Sequence, residues 1–480
     1  MANPFDTPQL ARDNITGAFQ FSINQWSGRP YVVVIPTRYC PVGCAHCYFA
    51  SPKPGRSPEA GSILAVTDVQ LLTRFLNDAN VGLLQLSGGG EPLLELESVC
   101  ELLAHTRAYR AAITTSAVMA KTDAKATQLL DQLCAAFASS PSEGELIFRL
   151  SVDEFHTERI RDTAVQSVIQ AFRAGYPRYR DQSMRLKLHS IMGDKSIDKL
   201  LDQLADEVAD VQSEVVFGEE RPTRIVLKDR SEILADYSLR MYADTLPDLN
   251  DTAANQRAVA AYEALRIPTP AQYIDEDGNP ALCLIVQETG EVELWNTTPP
   301  DRQVTLRTHD YIAARKAYSS DIIQVAALQR GARFVEEILS EVNPRAVTRA
   351  KVIGSAISFN KNMLVQGKDR LYVTVRLVQE YLVEGRLTSD DLKSLDSISI
   401  ELVGAPVARL QDMYRSASSD ILSETLDRPD LHLKHLVDLF KQVRRGHFAV
   451  DEEEMVTRVH RAAIADETKA AFIQSVQVAA

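Results

Sequence analysis

No apolar run in this chain approaches the roughly 18–20 residues that crossing a bilayer requires. The first stretch, Met1–Gln25, is polar and has no charged segment leading into an apolar core, so no secretory signal is expected and the chain is placed in the cytoplasm. Dense Lys/Arg blocks are missing, and 52 Lys+Arg against 65 Asp+Glu leave a net charge of −13. That balance excludes a general affinity for nucleic acid or anionic membranes and leaves a small molecule or short peptide as the expected partner. Internal repeats and low-complexity tracts are absent as well. Cysteine is scarce, with six in 480 residues, and its placement is uneven. Cys40, Cys44 and Cys47 crowd into one short loop, whereas Cys100, Cys134 and Cys283 are scattered. In a chain without an export signal, such clustering points to metal binding or redox chemistry and away from a disulfide framework. Cys100 and Cys134 fall in helix-like stretches, where a buried thiol behaves as a small hydrophobe.

Hydrophobic residues at 45% and charged residues at 24% give the profile of a globular protein, and 480 residues exceed one ordinary domain. From Tyr31 to Lys228, short apolar strands alternate with amphipathic helices. Strands are expected at Tyr31–Pro36, Gly82–Ser87, Ala111–Thr115, Leu146–Ser151 and Met184–Ser190. A sixth is expected at Glu214–Phe217 continuing into Arg224–Leu227. Helical patterns lie between them at Asp68–Asn77, Glu95–Ala108, Lys125–Ala138, Thr163–Ala174 and Ile197–Val208. Strand and helix in turn predict right-handed βαβ units on a parallel sheet. The expected fold is α/β, a partial (β/α)6 TIM-like barrel with a mostly helical C-terminal domain. The expected division is an N-terminal extension (1–30), the barrel (31–230), a helical connector and β-hairpin (231–308) and the C-terminal domain (309–480). Ser51–Ser62 reads as a long Pro/Gly/Ser loop, and Ser231–Ala264 as mainly helical. Leu282–Val286 and Glu291–Trp295 read as a hairpin turning at Gly290. Leu371–Val378 and Ile398–Val403 look β-like within the helical C-terminal part.

The chemistry is concentrated in Cys40-Pro-Val-Gly-Cys44-Ala-His-Cys47, directly after the first strand. Three thiolates on one loop suit three irons of a [4Fe-4S] cube, which normally takes four cysteines, so one iron is left open to another donor. Gly43 relieves crowding where the loop curls. A zinc site with His46 as fourth ligand is the rival reading, although His46 and Cys47 are adjacent and awkward to aim at one tetrahedral ion. Three clustered thiols without metal are the third.

Cys-x-x-x-Cys-x-x-Cys after the first strand of a (β/α) series resembles the signature of the radical S-adenosylmethionine (SAM) superfamily. The resemblance implies that the open iron binds the amino and carboxylate groups of SAM. Electron transfer then releases a 5′-deoxyadenosyl radical that abstracts hydrogen from a substrate. His46 stands where the family usually carries an aromatic residue contacting adenine. Ser87-Gly-Gly-Gly-Glu91-Pro92, closing the second strand, is similar to the family's Gly-Gly-Glu-Pro element. It implies SAM contacts at Gly89, Gly90, Glu91 and Pro92, with Glu91 accepting from the ammonium. Ser151-Val-Asp153, ending the fourth strand, resembles the family's Ser-x-Asp, with a helix cap or turn as the alternative role. Thr115 closes the third strand at a further SAM-contact position. Lys187 and His189 share one face of the fifth strand, and with Asp153 and His156 they are the candidate substrate-side catalytic groups.

The hairpin after the barrel looks like that of SPASM and twitch-type relatives, but Cys283 is the only cysteine beyond residue 134, so auxiliary-cluster ligands are missing. One [4Fe-4S] cluster and SAM are therefore the expected cofactors, with an external electron donor such as flavodoxin or ferredoxin. A redox-neutral outcome on a small molecule in natural-product biosynthesis is expected: rearrangement, epimerisation, elimination or addition. About 30 residues before the first strand leave no room for a leader-peptide-binding domain there. Peptide or protein modification is the alternative within the family, and a non-catalytic Fe–S or zinc protein is the alternative outside it.

Overall fold

The structure, a computed structural model, describes residues 3–44, 66–160, 163–191, 193–216, 219–238, 273–294, 304–331, 333–353, 363–364, 366–417, 426, 433–444, 452–462 and 464–479. Its strands are β1 (Gly28–Val34), β2 (Val81–Leu86), β3 (Ala108–Thr115), β4 (Glu145–Ser151), β5 (Met184–Ile191), β6 (Val208–Val216), β7 (Glu219–Leu227), β8 (Glu232–Ser238), β9 (Ala281–Val286) and β10 (Val292–Leu294). They form one sheet in the order β10-β9-β1-β2-β3-β4-β5-β8-β7-β6. Every neighbour pair from β9 through β8 is parallel, and the pairs β9–β10, β8–β7 and β7–β6 are antiparallel.

After helix α1 (Pro8–Thr16), the connections carry α2 (Val66–Ala79), α3 (Leu96–His105), α4 (Asp123–Ala138), α5 (Glu154–Ile160), α6 (Thr163–Ala174), α7 (Tyr176–Asp181) and α8 (Ser196–Gln203). One parity of strand side chains meets these helices. Val32, Leu84, Ile113, Phe148, Leu186 and Leu188 are buried in a core with Leu72, Leu102, Leu130 and Val168 from the helices. Each such burial stabilises by about 1.5–3 kcal/mol. The opposite parity carries Gln85, Thr114, Arg149, Lys187, His189 and Asp236, all half-buried. Among the described residues, helices packed on one face and polar groups on the other match a singly wound barrel sheet and not a doubly wound one.

Curvature is visible in the electrostatics. On a flat sheet β1 and β8 would stand about 24 Å apart, five strand spacings. Burial pushes the Tyr31 phenol on β1 to a higher pKa, and the charges of Arg149 on β4 and Asp236 on β8 also act on it. The polar faces of distant strands therefore look toward one another, which makes the sheet a partial barrel.

The sixth parallel strand differs from expectation. Val208–Val216 and Glu219–Leu227 pair antiparallel as β6 and β7, and the strand that extends the barrel after β5 is β8, in a stretch expected to be helical. Its pattern Glu-Ile-Leu-Ala-Asp-Tyr-Ser places polar groups on the barrel interior, so it does not look like a buried strand. The hairpin of β9 and β10 is present with Gly290 in its turn, and β9 adds to β1 in parallel. Ser51–Ser62 and 239–264 lie outside the described residues.

The β-like pieces in the C-terminal part are helical: Leu371–Val378 belongs to helix Gly367–Val383, and Ile398–Val403 to helix Ser397–Gly404. Leu371, Val373, Val375, Leu377 and Val378 are all fully buried, so apolar residues surround that helix and erase its period. Around it the helices between Ile322 and Ser416 enclose a second core, which Phe5, Ala11, Ile15 and Phe19 from the N-terminal segment join. A third, smaller cluster unites helices Leu433–Arg444, Glu452–Arg461 and Asp466–Ala479.

Candidate active site

The chemistry-bearing residues gather at the C-terminal ends of β1 to β5 and β8, where a parallel barrel places its ligand loops. Cys40 and Cys44 follow β1, and His46 and Cys47 lie outside the described residues. Gly43 takes φ +67°, the left-handed conformation that lets the loop turn back between the two thiols. The amides of Val42 and Gly43 donate to the Cys40 sulfur. Burial pushes the Cys40 thiol up to about 11 against those amides, with the charges of Glu91 and Cys44 adding to the rise. Val42 and Cys44 pack with Ile160, Ala164 and Phe155, so the loop is seated on α5 and α6.

The glycine turn after β2 docks directly on the stem of this loop. A side chain at Gly90 would lie 2.2 Å from the Tyr39 carbonyl oxygen and 2.7 Å from that of Thr37, so only glycine fits. The Glu91 amide donates to the Tyr39 carbonyl at 2.8 Å. On the other side of β1, the β9–β10 turn holds the same stem: Arg38 Nε donates to Glu288 at 2.9 Å, and the Ile35 amide to the Val286 carbonyl at 2.9 Å.

Glu91 is 2% exposed and its carboxylate is fully engaged. Oε1 accepts from the Leu93 amide at 3.1 Å and the Thr115 hydroxyl at 2.5 Å. Oε2 accepts from the Ser116 amide at 2.9 Å and from the Ser116 hydroxyl. Thr115 Oγ1 in turn accepts from the Ala117 amide at 2.8 Å. Glu91 thus ties the end of β2 to the end of β3 and has no carboxylate oxygen left over for an ammonium. Pro92 opens the short turn of helix that follows.

Ser151 and Asp153 are both buried at the end of β4. Asp153 Oδ1 caps α5, accepting from the amides of Phe155 at 3.1 Å and His156 at 3.0 Å. Its Oδ2 lies 2.7 Å from His156 Nδ1. Burial alone would lower the His156 pKa, but hydrogen bonds to Asp153 and to Cys44 carry it up to about 10. Asp153 therefore caps a helix, the alternative role weighed for it, and also orients an imidazole onto the cysteine loop, a role the sequence did not suggest.

On the barrel interior, Lys187 and His189 do share one face, and both meet Asp236, which sequence reasoning missed. His189 Nδ1 lies 2.8 Å from Asp236 Oδ1, and Lys187 Nζ 3.7 Å from Oδ2. Arg149, also missed, donates its Nε to both Asp236 oxygens at 3.1 Å. Burial by itself would raise the Asp236 carboxyl. The His189 hydrogen bond and the charges of Arg149 and Lys187 outweigh it and hold the group at about 2. A signal existed for both residues. Arg149 has the parity of Ser151 in a strand otherwise apolar, and Asp236 alternates with Leu234 and Ser238.

The remaining cysteines are apart. Cys100 and Cys134 lie on α3 and α4, and Cys134 donates to Gln182 at 2.9 Å. Cys283 pairs in register with Tyr31, on the sheet face turned away from those helices. Among the described residues no helix is long and apolar enough to cross a membrane.

No family model and no curated protein matches the chain. Among solved structures, native anSMEcpe with bound AdoMet is similar at a TM-score of 0.38 and 12% identity, over 73% of this chain and 99% of that one. A hexahistidine-tagged form of anSMEcpe with bound AdoMet is similar at 0.35 and 11%, over 77% and 98%. Likeness this distant bears on neither fold nor function.

Proposed function

We propose that the chain is a radical SAM enzyme whose one [4Fe-4S] cluster is held by Cys40, Cys44 and Cys47. One observation carries the reading: the stem of the cysteine loop and the Gly88–Gly90 turn are docked backbone to backbone at the strand ends. That contact unites the two elements on which the family resemblance rests. The donor chemistry fits such a cluster, because two thiols share a tight loop and backbone amides already point at the Cys40 sulfur, as outer hydrogen bonds to cluster ligands do. Held by Cys40, Cys44 and Cys47, the cluster would supply the one-electron reductive cleavage of SAM that hydrogen abstraction from a substrate requires.

The chain's own residues hold and orient. Glu91 fixes the turn and leaves SAM to the backbone of Gly89 and Gly90, which revises the ammonium contact expected of its carboxylate. Thr115 belongs to the same clamp, Ser151 lines the rim, and His46 is the adenine-side group. Asp153 steers His156 toward Cys44, and Lys187 and His189 face the interior where substrate would lie. Cys100, Cys134 and Cys283 sit on separate elements and on both faces of the sheet, which favours a single cluster and hence a redox-neutral outcome: rearrangement, epimerisation, elimination or addition. A small-molecule substrate and an external flavodoxin- or ferredoxin-like donor complete the proposal. Modification of a peptide is the second reading within it.

Anaerobic reconstitution followed by reduction with SAM tests the proposal. It requires about four irons and four sulfides per chain and formation of 5′-deoxyadenosine. A chain that loads zinc instead, or that holds iron without cleaving SAM, returns the site to a non-catalytic metal protein.

A further inference from the structure

The interior of a parallel barrel is normally filled by layers of branched apolar side chains. On β4, β5 and β8 this chain places charge there instead. Arg149 pairs in register with Lys187, and one layer nearer the rim Ser151, His189 and Asp236 stand side by side. We infer that Arg149, held by Asp236, and Lys187 beside it form a cradle that binds a carboxylate group of the substrate, a reading that rests on the function proposed above.

Two features make this a binding site and not a closed ion-pair network. The first is unspent hydrogen-bonding capacity. Guanidinium has five N–H donors, and the Arg149 Nε–H alone holds Asp236, at 3.1 Å to each oxygen. Among the described residues the two Nη groups have no partner, and they are the fork that matches a carboxylate bidentately. Lys187 Nζ, 3.7 Å from Asp236, lies beyond hydrogen-bond distance as well. The second is charge. Two cations face one carboxylate, and His189, whose pKa burial lowers, adds no charge at neutral pH. The surplus is one positive charge, which fits a monoanionic carboxylate better than a dianionic phosphate. Arg149 and Lys187 retain 21% and 24% side-chain exposure, so a ligand can reach them.

Position favours substrate over SAM as the owner of that carboxylate. The cradle lies on β4, β5 and β8 below the strand ends, whereas the cysteine loop lies above the end of β1. Arg149 is two residues below Ser151, about 7 Å deeper than the rim. A ligand anchored there extends upward toward the strand ends, presenting its far end to the cysteine loop.

The test uses the full chain, reconstituted anaerobically, with butyrate as the probe and butyramide as its uncharged counterpart at matched ionic strength. Ligand-observed NMR titration gives both affinities for wild type, Arg149→Met, Arg149→Lys and Lys187→Met. Butyrate is expected to bind wild type and butyramide not. Arg149→Met should weaken butyrate by about tenfold or more, the worth of a charge-assisted bidentate pair. Arg149→Lys should recover part of the loss. Equal binding of butyrate and butyramide, or no loss in Arg149→Met, overturns the cradle. If Arg149→Met weakens SAM as much as butyrate, the cradle serves SAM and the assignment is overturned too. Should that variant fail to fold, Lys187→Met, whose ammonium makes no hydrogen bond to the described residues, decides in the same way. Failure of the radical SAM reading looks different: butyrate binds through Arg149, yet wild type yields no 5′-deoxyadenosine.

Discussion

Replacing Glu91 by Gln keeps the size and shape of the side chain and removes one acceptor. In wild type the four donors are two backbone amides, Leu93 and Ser116, and two hydroxyls, Thr115 and Ser116, with one amide and one hydroxyl on each carboxylate oxygen. The glutamine carbonyl can serve only one of these pairs, and its NH2 must face the other. A hydroxyl there can rotate and accept, but a backbone N–H cannot, so either orientation leaves one buried amide without an acceptor. An orphaned buried donor costs about 1–3 kcal/mol. Loss of charge assistance in the surviving bonds adds roughly 1 kcal/mol. Glu91→Gln is therefore expected to destabilise by about 2–4 kcal/mol, and Glu91→Ala by more, because it strands both amides. Hydrogen-exchange mass spectrometry locates the effect: peptides spanning 87–94 and 113–118 should lose protection, whereas the C-terminal helices should not. Protection in both peptides within about 0.5 kcal/mol of wild type would refute the reasoning, because no acceptor count would then survive it.

Gly90→Ala forces a methyl into the Thr37 and Tyr39 carbonyls, backbone that cannot swing aside; a large fall in iron bound on reconstitution is expected, read by metal analysis. Asp236→Asn removes the counter-charge of Arg149 and Lys187 and should destabilise by about 1–3 kcal/mol at neutral pH. Because the folded Asp236 carboxyl lies below its ordinary value of about 4, the wild-type advantage should be full above pH ~4 and fade as pH falls toward about 2, as urea titrations at several pH values would show. Arg370→Met takes the counter-charge from Asp321, its partner in a pair with 4% and 3% side-chain exposure. Loss of one member of so buried a pair costs about 3–5 kcal/mol, measurable as a lower unfolding midpoint.

The first five barrel strands and the hairpin at Gly290 were legible in the sequence because each is a short apolar run bounded by turn residues. β8 was not, since a strand whose alternate residues line a polar interior alternates charge with apolarity and loses the signature of a buried parallel strand. Asp236, the carboxylate that Lys187 and His189 both meet, went unnoticed with it. Helix Gly367–Val383 misled in the opposite sense: Leu-Tyr-Val-Thr-Val-Arg-Leu-Val favours a strand locally, and complete burial in a helical core overrides that preference. At the site, the cysteine loop and the glycine turn stood out as motifs. What the turn does was hidden, because the Gly90 contact and three of the four bonds to Glu91 join segments far apart in the chain. The motif suggested a carboxylate aimed at SAM; packing gives it to Leu93, Thr115 and Ser116.

The central claim is that three cysteines leave one iron of the cluster open for SAM. Electron–nuclear double resonance on the reduced, reconstituted chain tests it with SAM labelled with 15N at its amino group. A resolved 15N coupling that disappears in Cys44→Ala, and is unaltered in Cys283→Ser, is the predicted result. A reduced cluster that shows no coupling to the labelled amino group would contradict the account, because the site would then be closed to SAM.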